Sequence, residues 1–148
     1  MAQGTSPFTA TVGTTAKTCV QLLAVGGLQV EIREISIGFS GTSPTAAGIL
    51  VEILRQTTAG TGSAGTVNKW DGDSVAVAAT AVDTYTVEPT ASDILWRVPV
   101  PGVGGVIEQF SVADGPKSVT NGRIALRVTG AADTSGLTAK GFLRFDEA

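Results

Sequence analysis

The groups in this chain that could do chemistry are one cysteine, one tyrosine, thirteen acidic residues and ten lysines and arginines, with no histidine at all. That absence removes the commonest general base, the Ser-His-Asp and Cys-His arrangements, and the commonest zinc ligand. What remains is carboxylate chemistry. Glu34, Glu52, Asp93 and Glu108 could be nominated as the acid pair of a glycosidase, but each occupies the polar position of an alternating strand or a turn, which is the simpler reading. Asp71 and Asp73 flank Gly72 in "KWDGDS", with Asp83 and Glu88 further on. A calcium loop would need a terminal bidentate Glu that is missing here, so turn-forming Asp and Gly are preferred. "GVGG" from Gly102 opens no helix and lacks a Lys-Ser/Thr partner, so it is no phosphate cradle. Cys19, inside the apolar "TCVQLLAV", reads as a small buried hydrophobe. The expectation is a chain that is not an enzyme and holds no cofactor or metal.

The elements that would position any site are strands. A chain of 148 residues suffices for one domain with a single core. Charged residues make up 16% and aromatics 5%, so the core must be aliphatic, and the Thr and Val content favours a pleated surface over a helix. In "LQVEIREISIGFSG", Leu28, Val30 and Ile32 alternate with polar residues, and then Ile35, Ile37 and Phe39 alternate in the opposite phase. Two alternations out of step at Arg33 and Glu34 predict a β-bulge or a bend between sheets. "GILVEIL" puts Ile49, Val51 and Ile53 on one face and Leu50, Glu52 and Leu54 on the other, a strand covered on most of both faces. "KTCVQLL", "ILWRVPV", "GVIEQFSV", "GRIALRVTG" and "TAKGFLRFDE" complete the strands. "SGTSPT", "ADGPKS" and "TNGR" supply turn chemistry, with Asn121 suited to a positive φ.

Three stretches carry no core signal. Residues 1–16 are small and polar and read as a flexible arm, leaving residues 17–148 as the folded domain. "QTTAGTGSAGT" predicts an exposed loop, and "SVAVAATAV" fits a short helix or a poorly paired strand equally well. About eight strands without βαβ alternation make an all-β protein: a single-domain β-sandwich, of which an eight-stranded jelly roll with long loops is the favoured form.

Partners are bounded by charge and hydropathy. A net charge of −3 with scattered Lys and Arg gives no footprint for nucleic acid, and no apolar run approaches a membrane span. No secretory signal is visible at the N-terminus, which places synthesis in a cytoplasm. Trp96, in "ILWRVPV", belongs to the core, whereas Trp70, in a polar context, is the better exposed anchor. With Pro7, Phe8 and Val12 of the arm, Trp70 forms the candidate partner-binding set.

The order "KTCVQLLA…LQVEIREISIGFSGTSPTAAGILVEILRQTTAGTGS", then "YTVEPT", then "WRVPVPG…GRIALRVTG" and a closing strand resembles small β-sandwich proteins encoded among the head genes of tailed bacteriophages, over roughly residues 17–145. The resemblance implies a capsid decoration, or cement, protein: a structural virion component on the capsid exterior, made in the host cytoplasm, that binds the major capsid protein of the assembled shell as a homo-trimer. The alternative from another class is a carbohydrate-binding or host-attachment module using Trp70.

Overall fold

The computed structural model describes residues 2–41, 48–72 and 75–148. Among them are eleven strands and no helix: β1 (Ala2–Thr11), β2 (Lys17–Leu23), β3 (Val30–Ser40), β4 (Gly48–Gln56), β5 (Thr61–Ala64), β6 (Asn68–Lys69), β7 (Thr80–Val87), β8 (Ala91–Pro101), β9 (Gly105–Gln109), β10 (Arg123–Thr129) and β11 (Thr138–Glu147). They form two antiparallel sheets packed face to face, an all-β sandwich. Sheet A runs β6-β1-β11-β3-β9 and sheet B runs β5-β7-β2-β10-β4-β8. The core between them is aliphatic, with Ile35, Ile37, Ile53, Leu126 and Leu143 fully or almost fully buried and the Phe145 ring fully buried among them.

Where the sequence alternates strongly, the strands follow it. In β3 the register against β11 shifts so that Glu34 opposes Arg144 and Ile32 opposes Phe145, leaving Arg33 as the extra residue. This is the bulge that the phase change predicts, and it lets both Ile32 and Ile35 point into the core. β4 lies between β10 and β8, and Leu54 and Glu52 on its outward face are as buried as Ile49 and Val51 on its inward face.

The expectation of a flexible arm over residues 1–16, with a domain starting at residue 17, is corrected. Residues 2–11 pair with β11 along their whole length, from Ala2 opposite Glu147 to Thr11 opposite Thr138, so the sandwich begins at Ala2. The inward positions of β1 are Ala2, Gly4, Ser6 and Phe8, and small residues there face large ones: Gly4 opposes Phe145 and Ser6 opposes Leu143. A Cβ on Gly4 would lie 2.7 Å from the Phe145 ring, so that ring takes the space a side chain on β1 would need. The hydrophobic payload of this pairing sits on β11, and β1 therefore looks featureless as a sequence.

The expected eight strands are eleven among the described residues. Strands β5, β6 and β7 arise from the connection 57–90, whose first ten residues are all Thr, Gly, Ala or Ser and whose remainder reads as a long connection with one turn of helix. β5 falls within the predicted exposed loop and is exposed throughout, yet pairs with β7. "SVAVAATAV" gives neither a helix nor one strand among its described residues: residues 75–79 are irregular and β7 begins at Thr80. The irregular part is tied down by the buried Glu147 carboxylate, which accepts hydrogen bonds from the Ala78 amide at 3.1 Å and from the Ala79 amide. Most of the "SGTSPT" turn lies outside the described residues.

An integral β1 makes a direct prediction. Phe8→Ala removes a ring that is 4% exposed and costs about 3 kcal/mol, measured as a lowered urea midpoint. Deleting residues 2–11 abolishes the cooperative transition altogether. A free arm would leave both unchanged.

Candidate interaction surface

The groups that could do chemistry are placed apart and used structurally. Glu34 meets Arg144 at 3.5 Å on sheet A, and Asp93 meets Arg55 at 3.2 Å on sheet B. Glu108 lies on β9 opposite Ile35, on the other face of sheet A from Glu34. No two of the nominated acids converge on a common space. Glu88 accepts from the Thr18 amide at 2.9 Å and faces Lys17, while Asp73 lies outside the described residues. Among the described residues no three His, Cys, Asp or Glu side chains gather as a metal site. Cys19 is fully buried, and burial pushes its thiol far above its ordinary range. Burial does the same to the Tyr85 phenol, so neither group is an accessible nucleophile. Gly102 sits in the turn joining β8 to β9, where the Gly104 amide donates to the Pro101 carbonyl at 3.1 Å.

The outward face of sheet B is closed by a charged row. Glu52 on β4 stands between Arg127 on β10 and Arg97 on β8, which are its direct cross-strand neighbours. Arg97 donates from Nε and Nη2 to Glu52 Oε2 at 3.1 and 2.6 Å, and Arg127 donates from the same two atoms to Oε1 at 3.1 and 3.0 Å. The carboxylate side chain is 1% exposed, with each of its oxygens accepting two hydrogen bonds from one guanidinium group. Burial alone would raise its pKa, but the hydrogen bonds from Arg97 and Arg127, together with their charges, lower it below the ordinary 4.5.

The outward face of sheet A is different. Strand register places Pro7, Phe142, Ser36 and Ile107 side by side across β1, β11, β3 and β9. Pro7 is exposed, Phe142 half-buried and Ile107 68% exposed. The neighbouring row holds Thr5, Arg144, Glu34 and Gln109. At its β6 end Trp70 extends the β6 pairing, its amide donating to the Gln3 carbonyl at 3.0 Å. The Arg144 guanidinium lies 4.7 Å from the Trp70 ring centroid, and Glu34 holds Arg144 from the other side. Trp70 is thus a 48% exposed aromatic beside a cation that is itself ion-paired with Glu34.

The four residues selected from the sequence separate here. Pro7 and Trp70 come together on the outward face of sheet A, while Phe8 and Val12 are buried in the core at 4% and 1% exposure and are unavailable to a partner. The burial of Phe8 follows from the pairing of β1, which turns alternate side chains inward, and Val12, just past the strand, is held by its amide donating to the Leu137 carbonyl at 2.8 Å. Trp96 packs against the core and meets Phe110 edge to face at 6.2 Å, as its context predicts. Phe142, Arg144 and Ile107 share this face although the sequence pattern did not single them out. The signal was present in "GFLRF", where apolar residues occupy both phases of one strand.

Glu52→Gln should lower stability by about 2 kcal/mol near neutral pH, because it leaves two guanidinium groups against a neutral amide. Since the folded-state pKa is depressed, the contribution of Glu52 is complete above its unfolded value and is lost as pH falls through the folded value. Denaturation of both proteins at pH ~7 and at pH ~3 should therefore show the gap closing. An unchanged gap would mean that the charge of Glu52 contributes nothing.

Comparison of the chain with protein-family models, with curated proteins and with solved structures finds no match in any of the three.

Proposed function

We propose that this protein is a structural, non-catalytic virion component that binds the outer surface of an assembled bacteriophage capsid, with the major capsid protein as its partner. The observation that carries this reading is the outward face of sheet A. It presents a half-exposed tryptophan, a braced arginine and an apolar row on a rigid sheet, while the acids nominated for catalysis do not converge and the one thiol is buried. Aromatic and arginine side chains held in place before contact lose little entropy on docking and make typical interface anchors.

Two further points support it. The strand order β1-β11-β3-β9 in one sheet and β2-β10-β4-β8 in the other, with β5, β6 and β7 inserted after the fourth strand, supports reading the sandwich as a jelly roll with one long insertion. The head-gene resemblance of the sequence points the same way. On a shell with many equivalent positions, a weak contact per copy is sufficient when copies also touch one another.

Sedimentation of the purified protein with undecorated shells tests the reading. The expected result is saturable co-sedimentation that Trp70→Ala weakens by about tenfold or more in Kd without changing the thermal midpoint. Failure of the unaltered protein to bind shells would overturn it. In that case selective binding to a glycan array, abolished by Trp70→Ala, would indicate the attachment reading.

A further inference from the structure

Each sheet ends on the same side of the sandwich, sheet B in β8 and sheet A in β9, and the two edges carry very different protection. Strand β8 contains Pro99 and Pro101, presents Arg97, and is bulged at Leu95, where the register against β4 skips. These are the features that block addition of another strand. On the opposite side, β5 has four residues with a register shift and β6 has two. Strand β9 has the regular register, no proline, no lysine and no bulge.

Its backbone bonding can be derived. The Phe39 amide donates to the Gly104 carbonyl at 3.2 Å, and the Phe110 amide donates to the Arg33 carbonyl at 2.9 Å. In an antiparallel ladder the bonded pairs alternate, so the N–H and C=O groups of Val106 and Glu108 are directed at β3. Those of Gly105, Ile107 and Gln109 are directed away from it. Among the described residues no strand pairs with that second edge.

We propose that β9 is a self-association edge, where a second copy of this chain adds its own β9 antiparallel about Ile107. The pattern is self-complementary. Centred on Ile107, the pairing sets Ile107 against its own copy and Gly105 against Gln109, which are the residues whose backbone groups are directed outward. It sets Val106 against Glu108, so no charge faces its like. The two Ile107 side chains cover each other on the outward face, where one alone is 68% exposed. On the neighbouring β8, Asp93 is bound to Arg55 and Arg97 to Glu52.

The contact is twofold, and it pairs copies instead of closing the threefold ring that the resemblance implies. It requires no shell and so stands apart from the proposed function. If both hold, two copies joined at β9 lay their Trp70 faces in one continuous ten-stranded sheet, twice the five strands of sheet A.

Sedimentation velocity over a concentration series is the test, on the whole chain. The unaltered protein should move toward twice the 14.9 kDa chain mass as concentration rises. Ile107→Pro removes an amide that β3 does not use, so it should leave the fold intact and the protein monomeric. Ile107→Lys, at an exposed side chain, places two like charges opposite each other and should raise the dimer Kd by at least about tenfold, partly reversed by salt. This second variant keeps the test decisive if the proline variant fails to fold. A strictly monomeric unaltered protein, a trimer, or a dimer indifferent to Ile107→Lys would each overturn the proposal.

Discussion

The reciprocal fit of β1 and β11 is the constraint on which the rest of the molecule depends. Phe145 packs over Gly4 because that residue has no side chain, and the small Ser6 stands opposite Leu143. In an aromatic-poor chain that ring is among the few large volumes available to fill the space between sheets. Without β1, sheet A would lose its support for β6, and with β6 the placement of Trp70. The surface that we assign to binding is therefore built on a strand that, apart from Phe8, turns only small side chains into the core.

Charge is handled in a consistent way on both outward faces. On sheet B the only acid of the central strands is covered by two arginines and the face is closed. On sheet A the Arg33 bulge residue lies 3.6 Å from Asp146 and 3.7 Å from Glu31, and Arg144 is shared between Glu34 and the Trp70 ring. Pairs this well covered add little net stability, because desolvation offsets their attraction, although removing one partner is costly. Their effect is to fix where side chains stand and to leave the apolar row of Pro7, Phe142 and Ile107 without a competing field.

What could be read from the sequence depended on whether the inward residues were large. The bulge in β3 was legible because isoleucines occur in both phases on either side of Arg33. Strands β4 and β10 were legible because their alternation is carried by Ile, Leu and Val, and Asn121 takes the positive φ of 54° that its turn suggests. Strand β1 was not legible, since its partner supplies the bulk, and neither were β5 and β7, whose edge pairing uses backbone groups that composition does not reveal. Of the site, Trp70 could be recognised from its polar neighbours. Phe142 and Ile107 needed the register across four strands, which no local pattern contains.

Hydrogen exchange of the protein free and bound to shells is the most direct test of the central claim that the outward face of sheet A is the docking surface. The account predicts added protection over β1, residues 68–70 and the 140–146 part of β11, with β2 and β10 unchanged. Added protection confined to sheet B, or none on sheet A while the protein is demonstrably bound, would contradict it.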